Sequence, residues 1–268
     1  MPSPIDVLLD PISLTVFALY AALILLEHFF PARDLPPAPA WRMRGLAAFA
    51  LFFALSTYLP LLWTQYLLPW QLFDLSGLGT AAGALVGVLV YEGIGYFYHR
   101  GMHASDFLWR VLHQMHHSAE RVDAWSAFWF HPLDMIGWTV VSSLALTLVV
   151  GLSAPATTAA LLAFTLLAIF QHTNVRTPRW LGYFVQRPES HSWHHARGRH
   201  RHNYADVPLF DILFGTFHNP RDFAPATGFY DGASSRLGDM LLFREISANP
   251  LEQRGLTNSA PSQSRAAP

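Results

Sequence analysis

Apolar residues gather into five long runs along the 268-residue chain, at 12–30, 46–68, 78–98, 135–152 and 154–170. A bilayer crossing needs about 20 apolar residues, with roughly 17–25 tolerated. Each run therefore predicts a membrane-spanning helix, the last two only just long enough. Runs four and five are separated by "GLSAP", which predicts a tight helical hairpin. The first run has no basic segment ahead of it and no small-residue cleavage site behind it, so it reads as a span rather than a signal peptide. The same pattern also fits a water-soluble protein with several fully buried helices.

Charge separates these readings. Only 13% of the residues are charged, against 52% hydrophobic, where soluble domains carry roughly 25% charged. All 17 basic residues are arginine. Three (Arg33, Arg42, Arg44) lie between runs one and two, three (Arg100, Arg110, Arg121) between runs three and four, and the remaining eleven after run five. The N-terminus, 69–77 and 151–153 contain none. Five alternating crossings thus place every arginine on one face, which the positive-inside rule makes the cytoplasmic one. The expected architecture is all-α: an integral membrane helical bundle of about five spans, hairpin included, with the N-terminus outside and a cytoplasmic helical cap, in a bacterial inner membrane. Residues 1–248 are expected to form a single domain, and 249–268, low in complexity, a disordered tail. A net charge of −1 gives no basic footprint for nucleic acid.

The chain has 14 histidines and no cysteine, which excludes disulfides, thiolate catalysis and an iron–sulfur centre of its own. Thirteen of the histidines follow residue 98. His99 and His103 are spaced i, i+4; His113, His116 and His117 are spaced i, i+3, i+4; His191, His194 and His195 repeat that triplet. Residues three or four apart share a helix face, so each group predicts imidazoles aimed at one point. Eight such residues exceed the three or four ligands of one tetrahedral zinc. Two metals with four or five nitrogens each would use up the set. Imidazole suits zinc, copper, iron and nickel. Neither the His-Glu-x-x-His of zinc proteases nor the Glu-x-x-His of carboxylate-bridged di-iron bundles is present. An all-nitrogen pair of open-coordinate irons can reduce O2 and take hydrogen from a C–H bond, and a site at the membrane surface suits a lipid.

Glu92 stands inside the third apolar run, where charge is costly and usually functional. Glu92, Tyr96, His99 and His103 fall on one helical stripe, so Glu92 is expected either to accept the outer proton of a ligating imidazole or to bond between spans. His131 precedes Pro132 and should leave a helix or turn, as a hydrogen-bonding residue or as an additional ligand. His200 and His202 are loop residues or a tenth ligand. His28 should face the interface, and His218 should be structural. Asn203, Tyr204 and Asp211 are expected to anchor the C-terminal lobe.

Together these words carry a resemblance. His99-x3-His103, His113-x2-His116-His117 and His191-x2-His194-His195 resemble the three histidine boxes of the sterol desaturase / fatty acid hydroxylase superfamily, the membrane-bound histidine-rich di-iron oxygenases. "LWRVLHQMHHS", "FHPLD" at 130–134 and "NYADVPLFDILFGTF" at 203–217 are similar to its connecting motifs, and the match runs over roughly 91–220. Phe210 departs from the usual Trp, and His200 and His202 stand where many members have acids; both leave the substrate subclass open. The resemblance implies His172 as a further ligand, with Asn174 beside it as a weak ligand or water holder. It also implies two iron ions (zinc as a replacement), O2 as co-substrate, and a sterol, fatty acyl, ether-lipid or carotenoid substrate. The chain has no haem-binding His-Pro-Gly-Gly and no GxGxxG, so electrons are expected from a separate electron-transfer protein. The alternatives are a zinc-dependent membrane hydrolase of a lipid amide or ester, and a non-enzymatic metal- or haem-binding membrane protein.

Overall fold

A computed structural model describes residues 1–199 and 201–248 of the chain. His200 and the expected tail 249–268 lie outside the described residues. Among the described residues the protein is helical, and its one β pairing is an isolated bridge between Ala196 and Thr227. Five helices are long and apolar enough to cross a membrane: Pro11–Phe29, Trp41–Trp70, Thr80–Ala104, Pro132–Val149 and Ala154–His172. They match the five predicted spans. The difference that matters is at the third. Its helix runs on to Ala104 and carries His99 and His103 in its last turns.

Sequence explains the boundaries. Proline opens the short α1 (Pro4–Leu9), behind a capping box of Ser3 and Asp6, and α2 (Pro11–Phe29), behind Asp10. A proline in the first turn loses no hydrogen bond and has its φ preset. The same device starts α7 (Pro132–Ser143), α8 (Ala154–His172) and α9 (Pro188–His194). The other long helices are α3 (Trp41–Leu67) and α4 (Thr80–Ala104). Between the third and fourth spans, α5 (Asp106–Leu108) leads through a π-helical turn at Trp109–His113 into α6 (Gln114–His117). α10 (Leu209–Leu213) and α11 (Leu237–Leu241) complete the C-terminal lobe.

α4 packs along α8, and α3 along α7. The α4–α8 seam is built from small residues. A Cβ on Gly83 would stand 2.8 Å from the Cβ of Ala156, and one on Gly87 would stand 2.8 Å from Leu152 Cδ1 and 3.2 Å from Ala160 Cβ. Gly83 and Gly87 form a GxxxG step against Ala156 and Ala160, which lets backbones approach closely where no hydrophobic effect drives helices together in lipid. The seam matters for the site because α4 ends in His99 and His103 and α8 ends in His172.

The cap is fixed by a buried ion pair. Arg187 and Glu189 meet at 3.0 Å with both side chains almost fully enclosed. Arg187 also donates to Asn219 Oδ1 at 2.7 Å and to the carbonyl of Thr177 at 3.1 Å. Glu189 accepts from the Thr177 N–H at 2.7 Å. This network sets the start of α9, one turn ahead of its three histidines.

Replacing Gly87 by Leu should push α4 from α8 and cost about 1–3 kcal/mol, the usual range for overpacking. Gly101, in the same helix with open space around its Cβ position, should accept Ala with a gain of up to about 1 kcal/mol. Thermal unfolding of the two variants in detergent checks both signs.

Candidate metal centre

The structure brings nine histidines into one space at the shared end of α4 and α8 and the start of α7. They form two groups. One holds His99, His103, His113, His117 and His194; the other holds His116, His172, His191 and His195, and within each group a nitrogen from every ring lies within 4.8 Å of the rest. All are buried except the partly exposed His103. The rings of His117 and His195, one from each group, stack at 4.2 Å, so the groups are neighbours.

The grouping corrects one expectation. Each triplet was expected to aim at a single point; instead each divides. The i, i+4 pairs stay together: His99 with His103, His113 with His117, and His191 with His195. The i+3 residue of each triplet crosses over, His116 into the four-membered group and His194 into the five-membered one. A step of three residues turns about 300° around a helix and a step of four about 400°. The two rings therefore diverge by about 100°, enough to serve points on either side of the helix face. The π-helical turn at Trp109–His113 further re-aims the first triplet, as such turns often do at functional sites.

Outer hydrogen bonds set the ring tautomers. His99 Nδ1 donates to the carbonyl of Tyr204 at 2.8 Å, His172 Nδ1 to that of Ala168 at 2.6 Å, and His194 Nδ1 to that of His202 at 2.7 Å. His113 Nδ1 bonds Asp134 Oδ2 at 2.9 Å. A carbonyl only accepts, so in the neutral rings Nδ1 carries the proton and Nε2 a bare lone pair. Those bare nitrogens face other ring nitrogens. His99 Nε2 lies 2.9 Å from His113 Nε2 and 3.1 Å from His194 Nε2. His172 Nε2 lies 3.2 Å from His116 Nε2 and 2.9 Å from His191 Nε2, which is 3.1 Å from His195 Nε2.

This arrangement fits metal ions. Nitrogens bound at about 2.1 Å to one first-row ion stand about 3.0 Å apart across a right-angle edge, which is the spacing seen. Protons are a poor substitute. Burial pushes His113, His116, His117, His191, His194 and His195 well below the ordinary imidazole range, and repulsion among the rings pushes them further. The donors are neutral, dry and all nitrogen.

Three sequence-predicted residues stand elsewhere. His131 joins neither group. It caps α7, its Nδ1 accepting the Leu133 N–H at 3.1 Å, and its ring packs on Phe243. Glu92 is buried on the α4 stripe, but its Oε2 accepts the N–H groups of Asp206 at 2.8 Å and Val207 at 3.2 Å instead of an imidazole proton. The Asn174 N–H donates to Glu27 Oε2 at 2.9 Å and its Nδ2 to the Arg33 carbonyl at 2.7 Å, tying the end of α8 to the end of α2.

The role expected of Glu92 belongs to Asp134, which sequence reasoning passed over. Asp134 is fully enclosed in the first turn of α7. Its signal was available: an acid at the mouth of an apolar run is as costly as Glu92. Gly137 leaves room for Tyr98, whose hydroxyl would otherwise collide with a Cβ there. Asp211 does anchor the lobe, accepting from the Tyr204 N–H at 2.9 Å and the Ala205 N–H at 3.0 Å. Glu92 and Asp211 thus clamp the loop 204–207 from two sides, and that loop presents the carbonyl that orients His99. Asn203 spans Ser190 and His218, donating to their carbonyls at 3.2 Å and 2.8 Å.

The family model for fatty acid hydroxylases matches residues 84–216. The chain is 31% identical over 144 residues to a very-long-chain aldehyde decarbonylase of Oryza sativa subsp. indica, covering 51% of this chain and 54% of that protein. It is 31% identical over 143 residues to an ornithine lipid hydroxylase of Rhizobium tropici, covering 51% and 42%. With a sphinganine C4-monooxygenase of Arabidopsis thaliana it shares 27% identity over 138 residues, covering 50% and 53%. The chain spans about half the length of the curated relatives it matches. No solved structure matches. All nine converging histidines lie inside the matched segment 84–216, and the chain belongs to the fatty acid hydroxylase family, within the sterol desaturase / fatty acid hydroxylase superfamily.

Proposed function

We propose that this chain is a membrane-bound, non-haem di-iron oxidoreductase that uses O2 to hydroxylate or desaturate a lipid. The observation that carries this reading is the pair of adjacent all-imidazole groups, five and four nitrogens strong, in one buried space. A zinc hydrolase needs one ion and three such rings, and it leaves six of the nine without work. Two irons held there would supply the oxidising power to break an unactivated C–H bond.

The chain's own residues do the rest. His99, His103, His113, His117 and His194 would hold one ion, and His116, His172, His191 and His195 the other. Tyr204, Ala168 and His202, through their carbonyls, and Asp134, through its carboxylate, keep the outer nitrogens protonated and the inner ones ready to bind. Burial excludes water that would quench the reaction. Overall, hydroxylation takes R–H, O2, two electrons and two protons to R–OH and water. Desaturation takes the same inputs, removes two hydrogens and releases two waters.

The site sits at the ends of apolar spans, so a hydrocarbon chain reaches it from the bilayer without crossing water. The relatives' names point the same way: a very-long-chain aldehyde, an ornithine lipid and sphinganine are each lipids or lipid precursors. The arginine distribution favours a site on the cytoplasmic face of the membrane.

Mass spectrometry of lipids from cells with and without the protein tests the reading. Gain of one oxygen marks hydroxylation and loss of two hydrogens marks desaturation; an unchanged lipid profile overturns it. His194→Ala and His191→Ala, one from each group, should each abolish the product while leaving the protein in the membrane. Asp134→Asn should lower metal affinity or activity by about 10–100-fold, the usual effect of losing a ligand's outer partner. Glu92→Gln should be milder, because it acts only through the 204–207 loop.

A further inference from the structure

Resting on the oxygenase reading, two electrons per turnover must enter from outside the metal centre. The outer face of α9 offers one short way in. His191, His194 and His195 are buried on its inner side, while Trp193, in the same turn, reaches the surface. A helix with its side chains is about 10–12 Å across, so a redox group resting on Trp193 lies one helix width from the histidine groups.

That surface carries exposed arginines. Arg176, Arg197 and Arg199 are exposed, and so are Arg201, two residues after Arg199, and Arg221, next to Asp222 in the chain. Arg199 lies over the Trp193 ring, 5.7 Å from its centroid. The Trp193 indole N–H donates to the Asp222 carbonyl at 2.8 Å, and the Asp222 carboxylate pairs with Arg176 at 3.0 Å. Arg197 pairs with Asp231 at 2.7 Å. His218 packs on Trp193 at 5.8 Å and on His202 at 5.7 Å. Asp222 and Asp231 each pair with one arginine, and these stretches carry five exposed arginines to two exposed aspartates, in a chain whose net charge is −1. Exposed charge of one sign steers an oppositely charged partner and sets its approach more than its final affinity.

We propose that the face of α9 around Trp193 is the docking surface of an acidic one-electron carrier protein, an iron–sulfur or haem protein with a negative rim around its redox group. Each carrier gives up one electron and leaves oxidised. Two successive carriers supply the two electrons, and two protons from solvent complete the reduction of O2 to water and the product oxygen. Charge complementarity selects an acidic protein. An anionic lipid headgroup is the competing occupant of such a surface.

The test uses the full-length, iron-loaded protein in nanodiscs of neutral lipid, with plant-type [2Fe–2S] ferredoxin as the acidic probe and cytochrome c as the basic one. Ferredoxin should bind and weaken steeply with salt; cytochrome c should not bind. The Arg197→Glu/Arg199→Glu/Arg201→Glu variant should weaken ferredoxin binding at least tenfold with iron content unchanged, while Arg42→Glu/Arg44→Glu, on another part of the arginine-bearing face, should leave it alone. Trp193→Leu should slow reduction of the iron by bound ferredoxin, read by stopped-flow absorbance without lipid substrate. Equal ferredoxin affinity in wild type and the triple variant, no ferredoxin binding at all, or charge reversal that alters only phosphatidylglycerol binding would overturn the proposal. Intact ferredoxin docking and iron reduction without any lipid product would instead defeat the oxygenase reading and leave the docking surface standing.

Discussion

Nine imidazoles turned inward in a dry space repel one another unless positive charge lies among them. His99, His172 and His194 have committed their outer N–H groups to carbonyls, so their inner nitrogens are bare, and separations of 2.9–3.2 Å crowd them against neighbouring ring nitrogens. Burial opposes protonation of the rings. A metal ion in each group would turn this repulsion into attraction, and the surrounding structure holds the rings in place for one. The small-residue seam of α4 and α8 brings His99, His103 and His172 to the same level, and the buried Arg187–Glu189 pair delivers α9 to meet them.

The supporting residues act at one remove. Glu92 and Asp211 touch no imidazole through the bonds described. They clamp a loop whose Tyr204 carbonyl orients His99, so two acids in apolar surroundings govern one ring tautomer through the backbone. Asp134 works directly, on His113. Buried carboxylates of this kind are costly, and each here accepts hydrogen bonds that offset that cost.

Much of this was legible in the sequence because it is periodic. Apolar runs marked the five spans, and the spacings of three and four residues marked all eight box histidines. Periodicity describes neighbours on one helix, and there it stops. It placed Glu92 beside His99 on the α4 stripe but could not show that the carboxylate leans across to the backbone of Asp206. It grouped His113, His116 and His117 by face but could not show that His116 crosses to meet His172, because that division depends on where α8 and α9 arrive. His131 was open between a hydrogen-bonding residue and an additional ligand, and ahead of Pro132 it caps α7. Asp134 went unnoticed because its partner, His113, is on a different helix.

We propose that the two histidine groups hold two separate ions, with each triplet shared between them. Mössbauer spectroscopy of protein loaded anaerobically with iron-57 tests it most directly, alongside the iron content per chain. Two ferrous signals of equal area, at about two irons per chain, are the predicted result, in keeping with unequal groups of five and four nitrogens. A single signal at one iron per chain, with all nine histidines still folded into the cap, would contradict the account.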